Sequence, residues 1–272
     1  MPSQQQKAEQ FRALHQRAEA FIIPNPYDIG TARLLEHVGF EALATTSAGY
    51  AFSIGQSDGT VNRGQMLTHI AELVAATNLP VSADLENGFG DDLDTVAETF
   101  RLAAATGLVG GSIEDVGRPH NTLYEIEEAT DRVRAAVETA RAQPFPFTLT
   151  ARAENYLVGR PDLKDTIKRL QAYQEAGADV LYAPGLKTAE DISAVVHSVD
   201  RPVNVIMGLQ GVKLDRAALS KLGVKRISVG SALSRAALGA FLRAAREMVR
   251  EQGSFEFADE AWNYAELNEM FN

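Results

Sequence analysis

Several acidic residues and one arginine fall at equivalent places along this chain, each at or just past the end of a short apolar run. Asp84 and Glu86 close the run 80–86, Glu114 closes 110–115, and Asp58 lies in the loop that follows 42–47. Arg152 and Glu154 close 147–154. If the runs are strands, side chains alternate, so Asp84 and Glu86 share one face and Arg152 shares another with Glu154. Two carboxylates on one face are costly unless a cation or hydrogen-bond donors meet them. The set Asp58, Asp84, Glu86 and Glu114 offers only oxygen, which suits hard Mg²⁺ or Mn²⁺ and not zinc. The plain alternative is that these acids cap helices or pair with Arg152. A guanidinium can grip a carboxylate or phosphoryl group bidentately, or bridge the opposing acids. The segment Thr45-Thr46-Ser47-Ala48-Gly49 ends the second run. Its hydroxyls and N–H groups can hold a carboxylate, or serve only to form a turn.

Residues so placed need a scaffold that brings strand ends together. Eight short apolar runs occur, at 21–25, 42–47, 80–86, 110–115, 147–154, 180–184, 203–208 and 225–231. Longer segments with helical spacing separate them, as in Val96, Ala97, Phe100, Ala103 and Ala104. Gly39, Gly107, Gly177 and Gly223 each precede a strand, where a left-handed helix end belongs. Helix starts are marked by Asp91 and Asp92, by Thr122 with Glu125 as a capping box, by Pro161, and by Thr188 with Asp191. Strand–helix alternation implies parallel strands with crossover helices, and eight units match a (β/α)8 barrel. A doubly wound sheet fits less well, because no Gly-x-Gly-x-x-Gly follows the first strand. No linker divides the chain, so residues 1–272 read as one domain. Residues 1–20 read as an added N-terminal helix and 253–272 as an aromatic C-terminal helical tail. In such a barrel, chemistry sits at the C-terminal strand ends.

Composition closes off several classes. Among 272 residues there is no cysteine, which excludes disulfides, thiolate metal sites and a cysteine nucleophile or acid. The net charge is −10, with no Lys/Arg run, which argues against nucleic acid as a partner. No segment reaches the ~18 apolar residues of a membrane span, and the N-terminus lacks a signal-peptide core. A cytoplasmic protein is expected.

These residues resemble the isocitrate lyase / phosphoenolpyruvate mutase superfamily. Its Asp-Ala-Asp-Thr-Gly-Tyr-Gly metal motif is similar to Asp84-Leu85-Glu86-Asn87-Gly88-Phe89-Gly90. Its Ile-Glu-Asp matches Ile113-Glu114-Asp115, and its Ala-Arg-Thr/Val-Asp/Glu resembles Ala151-Arg152-Ala153-Glu154. Pro24-Asn25-Pro26-Tyr27-Asp28 and Ala176-Gly177-Ala178-Asp179 are also family-like, and the resemblance spans roughly residues 10–250. It implies a barrel that holds Mg²⁺ mainly through water, near Asp58, Asp84, Glu86 and Glu114. It implies α-oxycarboxylate substrates, with a C–C or P–C bond made or broken through an enolate-type or glyoxylate-type fragment. Thr46, Ser47 and Ala48 would hold the carboxylate, with Asp84, Arg152 and Asn204 beside it. Tetramers that swap a C-terminal helix are also implied.

The sequence departs from the family pattern in the loop after the fourth strand. Isocitrate and methylisocitrate lyases carry Lys-Lys-Cys-Gly-His there; this chain reads Val116-Gly117-Arg118-Pro119-His120-Asn121-Thr122. Without the cysteine those two activities are not expected. Asn121-Thr122 resembles part of the mutase Lys-Thr-Asn-Ser, but the lysine does not match. The sixth strand places Pro184 where the family often has Glu or His. His120 is then the best titratable group left, so Arg152, Glu114, His120 and Asn121 form the expected catalytic set. Tyr27, Tyr50 and Tyr156 are further candidate proton donors. His37, His69 and His197 read as structural or solvated, and His15 as outside the barrel. Three functions remain: a lyase or decarboxylase of a small 2-oxo or 2-hydroxy acid, a phosphonomutase or phosphonopyruvate hydrolase, and a poorly catalytic dicarboxylate-binding protein. Ala183 and Pro184 argue against a Schiff-base aldolase. A phosphate-binding barrel using Gly208, Gly211, Gly230 and Ser231 leaves the acids unexplained.

Overall fold

A computed structural model describes residues 2–118, 122–250 and 252–272. Ten strands form: β1 (Phe21–Ile23), β2 (Leu43–Ala44), β3 (Val81–Asp84), β4 (Gly110–Glu114), β5 (Val116–Gly117), β6 (Thr122–Leu123), β7 (Thr148–Arg152), β8 (Val180–Tyr182), β9 (Val203–Ile206) and β10 (Arg226–Ser228). Eight of them pair in parallel in the order β1-β10-β9-β8-β7-β4-β3-β2. The remaining seam, between β1 and β2, is bridged where the Ala44 N–H donates to the Pro24 carbonyl at 3.0 Å. Helices alternate with these strands, which gives the expected (β/α)8 barrel. Each anticipated strand is present, trimmed at its ends. The antiparallel pair β5–β6, built into the loop after β4, was not anticipated.

The helix ends follow local chemistry. Asp92 and Thr188 accept from the third residue of their helices, and Gly39, Gly107, Gly177 and Gly223 all take positive φ. The capping box expected at Thr122 does not form. Thr122 belongs to β6, and helix Ile126–Arg141 starts after Glu125 without a side-chain cap. Helices bury one apolar face on the sheet, as Val96, Phe100, Ile70, Leu170 and Ile192 do. Each such side chain contributes about 1.5–3 kcal/mol of burial.

Helix Gln4–Leu14 closes the N-terminal end of the barrel. Phe11 is fully buried, and a β-carbon on Gly110 would come 3.0 Å from its ring. His15 is not outside the barrel as the sequence suggested. It is buried edge-on against Phe11 and Phe21, with Nε2 3.4 Å from Arg226. Burial and the neighbouring Arg226 charge push its pKa down to about 3. At the other end of the chain, helix Tyr264–Phe271 lies along helix Ile29–Val38. Phe241, Phe255, Trp262 and Tyr264 remain exposed. Among the described residues, no helix is long and apolar enough to cross a membrane.

Candidate active site

Strand register assembles the site. Glu114 on β4 is level with Arg152 on β7, Arg152 with Tyr182 on β8, Tyr182 with Asn204 on β9, and Asn204 with Arg226 on β10. Residues level in a parallel sheet point to the same side, so a polar row runs around the barrel interior. The row opens into a cavity of about 180 Å³ at the C-terminal strand ends. Thr46, Ser47, Ala48, Asp58, Asp84, Arg152 and Asn204 line it. That volume lies below the several hundred Å³ of a drug-sized pocket and suits a small acid. A cavity of about 530 Å³ at the opposite end, beside Arg12, Phe145 and Pro202, is larger but carries no acidic cluster.

Acids and arginines alternate through the site. Ser47 Oγ donates to Asp84 Oδ2 at 2.8 Å. Arg152 reaches Asp84 at 2.9 Å, Glu154 at 2.8 Å and Glu114 at 3.3 Å. Arg118 lies 3.3 Å from Glu114 and 3.2 Å from Glu86. Alternation along a strand does not bring Asp84 and Glu86 together, because β3 ends at Asp84. Glu86 instead takes φ +49, a left-handed turn that costs a non-glycine residue about 1–3 kcal/mol. Strain of that kind is held in place by surrounding structure, here the Glu114 N–H donating to the Glu86 carbonyl at 2.9 Å. Glu86 faces an adjoining cavity of about 230 Å³, shared with Gly59 and Arg118.

The electrostatics separate these carboxyls. Burial pushes Asp84 up, but Arg152 and the Ser47 bonds outweigh it and hold it below the ordinary range. Burial, then repulsion from Asp84, pushes Glu86 up to about 8. Burial pushes Glu154 up to about 8 as well, against the pull of Arg152, and raises Glu114. Asp84 is thus the most firmly ionised of these acids, whereas burial favours the protonated forms of Glu86 and Glu154. Cation binding must release such protons.

The donor set fits a hydrated divalent cation. Glu86 Oε1 is buried with no hydrogen-bond partner, which a cation or its water would satisfy. Among the described residues, no three acids or histidines converge closely enough to ligate a metal directly. Mg²⁺, which keeps several waters, matches that spacing better than a dehydrated ion does.

Other candidates have other surroundings. Thr46 Oγ1 accepts from the Gly49 N–H and caps helix Ser47–Ser53, so its turn role is real. Asn204 accepts from Arg226 at 2.9 Å and donates to Ser228 at 3.0 Å, so barrel partners already hold both ends of its amide. Tyr50 stacks on the buried His69 with ring centroids 3.8 Å apart. His120 and Asn121 lie outside the described residues. Sequence reasoning passed over Arg118 and Arg226. The signal for Arg226 was a basic residue inside an apolar strand, level with Asn204. For Arg118 it was a cation four residues after Glu114.

A (β/α)8 barrel with acids and a half-buried arginine at its C-terminal mouth is the arrangement of an enzyme whose site lies at that mouth. Among such enzymes the chain belongs to the phosphoenolpyruvate phosphomutase family, whose profile matches residues 11–249. It is 31% identical to a 2-methylisocitrate lyase of Halalkalibacterium halodurans over 74% of this chain and 67% of that one. It is 27% identical to an oxaloacetate decarboxylase of Chromohalobacter salexigens, covering 92% and 87%. A Burkholderia cenocepacia J2315 structure, provisionally described as a lyase/mutase, superposes with TM-score 0.96 at 63% identity, covering 98% and 97%. A phosphonopyruvate hydrolase complexed with oxalate and Mg²⁺ superposes with TM-score 0.85 at 25% identity, covering 97% and 94%.

Proposed function

We propose that this protein is an Mg²⁺-dependent lyase or decarboxylase that cleaves a C–C bond of a small 2-oxo or 2-hydroxy carboxylate. The observation that carries the reading is Arg152, half-buried at the mouth between Asp84, Glu114 and Glu154. A guanidinium fixed by carboxyl groups suits a substrate whose negative charge grows on an α-oxygen. A bound divalent cation would supply Lewis-acid polarisation of that oxygen, held by Asp84, Glu86, Glu114 and Asp58. Arg152 would orient the α-oxycarboxylate, and the N–H groups of Ser47 and Ala48 would hold its carboxylate. In a 2-oxo diacid such as oxaloacetate, the bond to the distal carboxylate breaks with release of CO2, and its electron pair passes into the enolate of the retained fragment. In a 2-hydroxy acid the hydroxyl loses its proton to a base as the bond breaks, and the 2-oxo fragment leaves. A proton then reaches the carbon, and we assign its delivery to the loop that carries His120 and Asn121. Related proteins with oxo-acid activities support this reading.

The test is turnover of oxaloacetate, substituted malates, 2-methylisocitrate and phosphonopyruvate with Mg²⁺. The expected result is consumption of an oxo or hydroxy acid, with 2-methylisocitrate untouched because the chain has no cysteine to supply the acid. Appearance of inorganic phosphate from phosphonopyruvate by phosphorus NMR would replace this reading with P–C chemistry. Binding without turnover across the panel would replace it with a binding protein.

We further propose that the chain assembles into a homo-oligomer. Helix Ala232–Met248 buries only Ser234, leaving Leu238, Phe241 and Leu242 exposed beside the aromatic tail. Contiguous apolar surface of this kind marks an association face. Sedimentation equilibrium should give a multiple of 29.4 kDa; a monomer at micromolar concentration would refute the assembly.

A further inference from the structure

Arg118 is a cation that the proposed chemistry does not use. It follows Glu114 by four residues, and its guanidinium lies 3.2 Å from Glu86 and 3.3 Å from Glu114. It also crosses the bare face of Gly59, next to Asp58. A β-carbon on Gly59 would fall 1.7 Å from Arg118 Nη1, so the guanidinium lies directly against the Gly59 backbone. One guanidinium thus sits between two of the four acids assigned to the divalent cation.

Its hold is incomplete. Arg118 Nε meets Glu86 Oε2 at 3.2 Å as an ion pair without hydrogen-bond alignment, and Glu86 Oε1 is left without a partner. The side chain is 27% exposed, so a path to solvent is open. Arg152 differs on both counts. It is 13% exposed and makes shorter contacts, at 2.8 and 2.9 Å, with Glu154 and Asp84. Arg152 already shares Glu114 with Arg118, so a further cation at the Glu86–Glu114 pair would meet strong short-range repulsion unless Arg118 leaves.

We propose that Arg118 is the internal counter-cation of the metal pocket: it pairs with Glu86 and Glu114 in the space that a divalent cation would take, and such a cation enters by displacing it. The proposal rests on the reading that these acids bind such a cation. It follows that metal affinity is the difference between two cations' claims on the same carboxylates, and that removing Arg118 strengthens metal binding. A residue that helped to build the metal site would do the opposite.

The experiment is calorimetric titration of Mn²⁺ into the wild-type protein, Arg118→Ala and Arg118→Lys, with circular dichroism to confirm that each is folded. Arg118→Ala should bind Mn²⁺ about tenfold more tightly than wild type. Arg118→Lys, which keeps the charge but loses the planar fork, should fall between them. Equal or weaker binding by folded Arg118→Ala would overturn the exchange while leaving the metal site standing. Absence of Mn²⁺ binding in all three proteins would instead overturn the metal site, and the exchange with it.

Discussion

Arg152→Ala should lower turnover of the oxo-acid substrate by about 10²–10³-fold, the usual loss when a fixed donor facing developing charge is removed. The change also strands Glu114 and Glu154, so it should cost stability as well, and circular dichroism checks that the variant is folded before turnover is compared. Arg152→Lys should recover little. A lysine ammonium cannot reproduce contacts to Asp84 at 2.9 Å, Glu154 at 2.8 Å and Glu114 at 3.3 Å from one planar group. Asp84→Ala should produce a loss of the same order for a complementary reason. It removes the carboxylate that Arg152 and Ser47 hold most firmly ionised and frees Ser47 Oγ from its 2.8 Å bond. Steady-state kinetics with excess Mg²⁺ measures both. Undiminished turnover in folded Arg152→Ala and Asp84→Ala would remove the proposed site.

Asp115→Ala should destabilise the protein by about 3–5 kcal/mol, as expected when one member of a buried charge network is lost. Although Asp115 neighbours Glu114, it faces away from the cavity. Arg169 donates to it at 3.1 Å and the Tyr173 hydroxyl at 2.6 Å, and both partners are buried. The Glu154 N–H donates to its other oxygen at 2.8 Å. Alanine would strand a phenol and a backbone N–H and leave Arg169 with only Asp165 and the Tyr124 carbonyl. Asp115→Asn keeps an acceptor and should lose less. Chemical denaturation measures the difference, and a loss under about 1 kcal/mol for Asp115→Ala would contradict the network's assigned weight.

That contrast within Ile113-Glu114-Asp115 shows what was legible in the sequence. The motif's place at the end of β4 could be read, because apolar runs and glycine-ended helices repeat with a parallel-barrel spacing. Strand alternation then separates Glu114, facing Arg152, from Asp115, facing Arg169. Pairings far apart in sequence were less accessible. Nothing local to Arg118 reveals that Gly59 leaves room for it, and nothing local to His15 reveals that the N-terminal helix places it 3.4 Å from Arg226. Glu86 shows a third limit. Its proximity to Asp84 was anticipated from a strand period, yet a left-handed turn at φ +49 positions it. The expected capping box at Thr122 failed because the segment pairs as β6 with β5 instead.

The most direct test of the central claim is oxaloacetate consumption by the wild-type protein, first with Mg²⁺, then after EDTA, then with Mg²⁺ restored. The acid-lined mouth requires turnover that falls to background in EDTA and returns with the cation. Turnover that is unchanged by EDTA would contradict a metal-assisted reaction at Asp84, Glu86 and Glu114.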